Sequence, residues 1–400
     1  MSAVRKEKEI KDIAFKEDMM IGILTFHKSV NYGSVLQCWA LQRALTLQGY
    51  TPQIIDYEPE KYGEMYDVFL KPGTPRFLIR NLNRLPVSGI LQRQKSGFAR
   101  FRRDHLPVGP VTWHHDDDYT AIGSQYDAII CGSDQIWNVS AADADKIYFL
   151  PFDAPCRKLA YAVSLNTGSF DSLEDPGERE TYRQWISDFD YLSCRETDGV
   201  EKLRELLGGE RPVDLALDPT LLHDKKEYVR ITSPRRIRER YIFVYYVWYD
   251  ESIVRAAREI GRRTGLPVYT IEMAKGGRTY LKLWKKGIRP VTRALAPGDY
   301  LSLIRHAAYV VTDSFHGTAF SIIFEKKFVS INDGSPERGY KNDVRISGIL
   351  DKLGLGGRFV TCEQLEQLDL DEPIDYRAVT RTRKQLARQC LKRLTDALKG

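Results

Sequence analysis

Short apolar runs that end in a small or polar residue recur along this chain, with helical patterns between them. Residues 20–26 open the series, and 126–133, 158–164, 191–196 and 213–217 continue it. After Asp218-Pro219 a second series starts with 241–247 and proceeds through 267–271, 308–312 and 328–331. Runs that are continuously apolar, rather than alternating, mark strands covered on both faces, as in a parallel sheet. Between the first two runs, Val35, Leu36, Trp39, Ala40, Leu41, Ala44 and Leu45 follow helical spacing up to Gly49, and Pro52 to Tyr57 reads as the next strand. The unit is strand, helix, strand.

At 400 residues the chain exceeds what one core usually holds, so two domains are expected. The expected architecture is α/β: two Rossmann-like parallel-sheet domains facing across a cleft. Residues 1–19 read as a charged leader and 20–218 as the N-terminal domain, with a basic insertion at about 58–110. Residues 219–372 read as the C-terminal domain and 373–400 as a helix that returns to the other half.

The net charge of +6 is concentrated. Lys71, Arg76, Arg80, Arg84, Arg93, Lys95, Arg100, Arg102 and Arg103 crowd one stretch, which suits an anionic partner or a solvated helical face. Six cysteines stand singly, with no CxxC pair and no Cys/His spacing for zinc, so no metal is expected and a reducing compartment is. The first twenty residues lack the apolar core of a signal peptide and no later run would span a bilayer, which gives a cytoplasmic expectation.

In parallel sheets the chemistry gathers beyond the carboxyl ends of the strands, so those loops are the candidates. At Asp313-Ser314-Phe315-His316-Gly317-Thr318 a strand gives way to a helix N-terminus, where amides and dipole favour an anion and His316 can move a proton. The alternative there is a Ser314 cap and a packed histidine. Arg195, after another strand, suits a bidentate contact to phosphate or carboxylate, or an ion pair with Glu196. Gly132-Ser133-Asp134-Gln135-Ile136-Trp137 offers hydrogen bonds to a sugar and a ring for stacking, though Trp137 could equally anchor the core. Asn31, Gly33 and Ser34 precede the first helix as substrate donors or as its cap. GxGxxG and GxxxxGK[ST] are both absent, so no dinucleotide or P-loop site is expected.

Together these segments resemble the polysaccharide pyruvyl transferase family, from Ile21-Gly22-Ile23 and Asn31-Tyr32-Gly33 through Gly-Ser-Asp-Gln-Ile-Trp-Asn, Cys194-Arg195-Glu196 and Asp218-Pro219-Thr220 to Asp-Ser-Phe-His-Gly. The resemblance implies a glycosyltransferase-B-like fold and transfer of a pyruvyl group from phosphoenolpyruvate to a sugar, as a cyclic ketal. It implies Arg195 as donor-binding residue and His316 as general acid, with Asp134 the candidate base. Members carry Arg-Leu-His where this chain has Ser314-Phe315-His316. The lost arginine's charge would then come from Lys326, Lys327, Arg338, Lys341 or Arg345, and Lys341 is carried as a binding residue. No cofactor beyond the donor substrate is implied. The acceptor would be a sugar or lipid-linked oligosaccharide of a cell-surface or exopolysaccharide precursor, met at the inner membrane face through residues 71–103, with no nucleic acid involved. One alternative keeps the fold and takes a nucleotide-sugar donor. Another makes the protein a non-catalytic glycan- or nucleic-acid-binding module, though its basic stretch lacks an interleaved aromatic platform.

Overall fold

The computed structural model describes residues 19–73, 77–141, 143–166, 170, 173, 175–247, 249–271, 276–293, 295–333 and 343–400. All but one residue of the expected leader therefore lie outside the described residues.

The first sheet comprises β1 (Met20–Leu24), β2 (Thr51–Glu58), β3 (Val108–His114), β4 (Ala128–Cys131), β5 (Arg157–Val163), β6 (Tyr191–Cys194) and β7 (Asp214–Leu215), ordered β3-β2-β1-β4-β5-β6-β7. The second comprises β8 (Ile242–Tyr245), β9 (Val268–Thr270), β10 (Ile288–Pro290), β11 (Tyr309–Thr312), β12 (Lys327–Ile331) and β13 (Phe359–Val360), ordered β10-β9-β8-β11-β12-β13. Every pairing is parallel, with Ile21 opposite Ala128 and Thr312 opposite Tyr245. Strands β4, β8 and β11 are buried throughout, which accounts for their unbroken apolar sequence.

Each sheet reverses its strand order once, between β1 and β4 and between β8 and β11. At such a reversal the connections leave in opposite directions and open a crevice beyond the strand ends.

The Tyr32–Leu47 helix lies between the halves, with twelve of its sixteen residues buried. A helix apolar on all sides needs partners on all sides, and both domains supply them. Tyr32 stacks on Tyr300 at 4.9 Å and donates its hydroxyl to the Leu295 carbonyl at 3.1 Å, while Trp39 packs on Tyr228 at 5.3 Å. One hydrophobic cluster runs through both domains as a result.

The stretch read as irregular insertion forms the Tyr62–Tyr66, Phe77–Arg84 and Ser88–His105 helices and then β3. Strand β3 escapes sequence detection because Pro107 precedes it and Pro110 interrupts it, and it survives as an edge strand, where a missing donor is tolerated. The final Tyr376–Lys399 helix returns to the first domain, where Cys390 Sγ accepts from Leu217 N–H at 3.3 Å and Arg393 pairs with Asp214 at 3.4 Å; nearer its start, Arg383 donates to the Leu221 and His223 carbonyls of the second domain at 2.7 and 2.8 Å. Among the described residues no helix is long and apolar enough to cross a membrane.

Candidate active site

The two crevices face each other and merge into one cavity of about 810 Å³. Asn31 and Ser34 reach it from the loop after β1, Asp134 and Gln135 from after β4, and Arg195 from after β6. Val247 follows β8, and Ser314, Phe315 and His316 follow β11.

At its floor, Asp218 gathers charge from both domains. Arg195 Nη1 lies 3.0 Å, Ser133 Oγ 3.2 Å and His316 Nε2 3.6 Å from Asp218 Oδ2. Thr220 donates its N–H and hydroxyl to Oδ1 at 2.9 and 2.7 Å. Burial alone would raise this carboxyl's pKa, but His316, Arg195 and Thr220 together hold it well below the usual carboxylate range. Arg195 also lies 3.6 Å from Asp134 and 3.7 Å from Glu196, and it stacks its guanidinium on the Phe315 ring at 4.7 Å, so three acids and an aromatic face fix its plane. An arginine held this way is pre-organised for a planar anion.

His316 occupies the first turn of the Phe315–Ile323 helix, which Ser314 caps by accepting from Gly317 N–H at 3.4 Å. Its ring is wedged against the opposite domain. A Cβ on Gly33 would lie 2.1 Å from His316 Nδ1, and one on Gly317 would lie 2.2 Å from Thr312 Oγ1. Nε2 lies 3.6 Å from Asp218 Oδ2 and makes no hydrogen bond among the described residues. An imidazole beside a buried carboxylate and a cavity can hold and deliver a proton.

Asp134 forms the opposite wall, accepting from Ser34 Oγ at 2.5 Å and Gln135 N–H at 2.9 Å. Near it, burial and the charge of Asp134 push Asp143 up to about 6. Behind β11, burial pushes Asp313 up to about 8, with Asp250 and Asp343 adding to the rise.

The insertion supplies the remaining wall through Lys61, Arg80, Asn83, Arg84 and Lys95. Arg345 joins them, paired to Asp343 through Nε at 2.8 Å. Lys326 and Lys327 do not reach the cavity: they sit at the start of β12, on the Arg305 carbonyl and Asp371. Arg338 and Lys341 lie outside the described residues.

Several expected binding residues are placed elsewhere. Trp137 has no exposed surface, stacks on Phe149 at 5.2 Å and donates to the Tyr148 carbonyl at 2.8 Å; its ring anchors the core and is closed to a substrate. Ser133 is fully buried and donates to the Ala162 carbonyl at 2.5 Å, with Asp218 Oδ2 3.2 Å from the same hydroxyl. At Gly132 φ is +121° and a Cβ would lie 2.2 Å from the Tyr161 carbonyl oxygen, so the residue serves a close backbone approach. Thr318 Oγ1 bonds Ser330 and the Ser314 carbonyl inside the core, and Gly33 and Gly317 make room for their neighbours. Asn31 does both jobs, lining the cavity and capping its helix by accepting from Gly33 N–H at 2.9 Å.

Sequence reasoning missed Asp218 as a site residue, although its Asp-Pro-Thr setting follows a strand like the other site loops. It also missed the insertion's inward side, because a run of positive charge carries no sign of which side turns inward.

A family model for polysaccharide pyruvyl transferases matches residues 31–335. No curated protein matches the chain. Among solved structures it is similar in fold to a UDP-GlcNAc 2-epimerase from Methanocaldococcus jannaschii, with 11% identity, a TM-score of 0.50, and 92% of this chain and 98% of that chain covered. It is similar too to an E. coli structure described as trehalose-6-phosphate bound with UDP-2-fluoro glucose, with 9% identity, a TM-score of 0.50, and 95% and 99% covered. At such identities the likeness is one of fold, and that fold is glycosyltransferase-B-like.

Proposed function

The chain belongs to the polysaccharide pyruvyl transferase family, and we propose that it moves a pyruvyl group from phosphoenolpyruvate onto a sugar at the cavity between its domains. The observation that carries this reading is the Arg195–Asp218–His316 cluster: a fixed guanidinium for an anion and an imidazole for a proton, brought from opposite domains onto one carboxylate.

In the proposed reaction His316 protonates the methylene carbon of phosphoenolpyruvate, leaving an oxocarbenium-like centre at the adjoining carbon. An acceptor hydroxyl attacks that carbon and gives its proton to Asp134, whose contacts from Ser34 and Gln135 hold it as an acceptor. The carbon–phosphate oxygen bond then breaks, phosphate leaves, and a second hydroxyl closes the ketal while returning a proton to the site. Arg195 balances the donor's negative charge throughout. Arg345, Arg80 and Arg84 line the same cavity and support the reading by supplying cations where Ser314 replaces an arginine. The scheme uses no cofactor. The acceptor we infer is a sugar or lipid-linked oligosaccharide of a cell-surface precursor, taken up at the cytoplasmic face.

A second reading, with a nucleotide-sugar donor, is favoured by Ser314 and by a cavity larger than phosphoenolpyruvate alone requires. Thermal-shift titration separates the two, because a ligand bound only by the native state raises the melting temperature. A saturable shift with phosphoenolpyruvate that Arg195→Ala abolishes supports the first reading. A shift with a nucleotide-sugar alone replaces it with the second.

A further inference from the structure

The Phe77–Arg84 helix has two different faces. Arg80, Asn83 and Arg84 line the cavity, and Asn81 fixes the helix by bonding both N–H and carbonyl of Leu70 at 2.8 and 3.0 Å. On other positions Leu78, Ile79, Leu82 and, just beyond the helix, Leu85 are 60–69% exposed. Spacings of four and three residues place Leu78, Leu82 and Leu85 in one stripe. Against this helix lies the Gly277–Lys285 helix of the other domain: Asn83 Oδ1 accepts from Arg278 N–H at 3.3 Å, and a Cβ on Gly277 would lie 3.3 Å from Pro86. The second helix buries Leu283 completely and leaves Leu281 and Trp284 55% and 66% exposed. Large apolar side chains left in water at this density on two touching helices mark a contact surface.

Charge identifies what the surface meets. Residues 71–103 hold nine Lys and Arg and no Asp or Glu, and residues 277–289 hold five and none. Glu251 and Glu239 pair with Lys286 and Arg289, and Asp67 with Lys95, while Lys282 lies over the Tyr249 ring at 5.5 Å and Arg278 and Lys285 stand exposed beside the apolar stripe. A second copy docking on the same patch would bring two basic clusters together, which is repulsive. A soluble polyanion would match the cations and leave the leucines and Trp284 wet. Aliphatic residues with a tryptophan, ringed by Lys and Arg, match the interface of an anionic bilayer, where apolar side chains enter and cations meet headgroups.

We infer that the paired helices Phe77–Arg84 and Gly277–Lys285 seat this protein on an anionic lipid surface, with its cavity opening beside the membrane. The contact uses residues from both domains, so seating fixes the angle at which a membrane-held sugar enters. That purpose rests on the lipid-linked acceptor proposed above; the contact itself does not depend on the donor.

The test is co-sedimentation of the full chain with phosphatidylcholine vesicles, with and without phosphatidylglycerol, for wild type and for Leu78→Ser/Leu82→Ser/Trp284→Ser. These three side chains do not line the cavity and are more than half exposed, so an unchanged melting curve and phosphoenolpyruvate shift verify that the variant folds. Wild type should bind the anionic vesicles, and the triple variant should lose at least about tenfold in partition at a salt concentration that screens surface charge. Arg278→Gln/Lys282→Gln/Lys285→Gln should weaken binding most at low salt. The inference is overturned if wild type ignores phosphatidylglycerol vesicles at low salt, or if the triple variant binds as well as wild type. Concentration-dependent self-association, or heparin binding without vesicle binding, would overturn it equally. A chain that binds vesicles yet shows no phosphoenolpyruvate shift would sink the donor assignment and leave the docking surface standing.

Discussion

The floor of the cavity and its basic wall handle charge in opposite ways. On the floor, Asp218 is fully enclosed and every charge reaching it is matched by a named partner from another strand end. On the wall, Arg80 and Arg84 stand on a helix whose neighbouring leucines are exposed. A buried, mutually paired cluster cannot move without leaving a charge unsolvated, whereas half-exposed cations on a lightly packed helix can adjust to what they hold. The floor therefore suits bond making, and the wall suits capture of an anion and contact with a surface.

The first way to break this contrast is His316→Asn. If the floor performs chemistry, the pyruvyl transfer rate should fall by about 10²–10⁴ with the phosphoenolpyruvate-induced melting shift retained; a loss of binding with an unchanged rate would move His316 into the capture role. Asp218→Ala leaves Arg195 buried without its main partner and should cost about 3–5 kcal/mol in denaturant unfolding. A cost near zero would mean the floor is solvated and no more rigid than the wall. Gly33→Ala places a methyl group within 2.1 Å of the His316 ring and should cost about 1–3 kcal/mol of stability with a parallel loss of rate. Retained activity would show that the histidine has freedom the packing denies it.

The wall is sharpened by Arg80→Gln/Arg84→Gln. Being half-exposed, these cations should alter donor affinity by about tenfold, less as salt is added, with the rate at saturation nearly unchanged. The smallest expected effect concerns Asp313. Its carboxyl is pushed up to about 8 by burial, above its unfolded value, so its contribution is present below about pH 4 and is lost as pH rises toward 8. Asp313→Asn should therefore raise the melting temperature by a few degrees at pH 8 and by less at pH 5. Equal shifts at both values would mean that Asp313 titrates normally. Asp218 has the opposite sign: its depressed pKa gives stability that is lost as pH falls below the ordinary carboxylate range.

The residues that were legible share one property, which is that their neighbours in sequence share their environment. The runs at 128–131, 242–245 and 309–312 are buried on both sides, and each forms a strand. Arg195 and His316 follow such runs, so their place at strand ends could be read locally, and the structure brings both to one cavity. Trp137 defeated the same reasoning because an aromatic in a polar loop can turn toward solvent or inward, and only the packing of Phe149 and Phe189 around it decides. Strands β10 and β13 span three and two residues and have no periodicity to detect.

The sequence by itself determined the alternation of buried strands and helices, the two parallel sheets, and the loops where polar chemistry would sit, because burial on both faces of a strand and the capping of a helix are settled within a few residues. Only the tertiary structure decided which of those loops meet. Asp218 binds Arg195 from 23 positions earlier, His316 closes on Gly33 from the opposite domain, and one side of a basic helix turns inward while its leucines stay outside. Such encounters depend on how two cores dock on the shared Tyr32–Leu47 helix, an energy spread over many distant contacts and written at no single position.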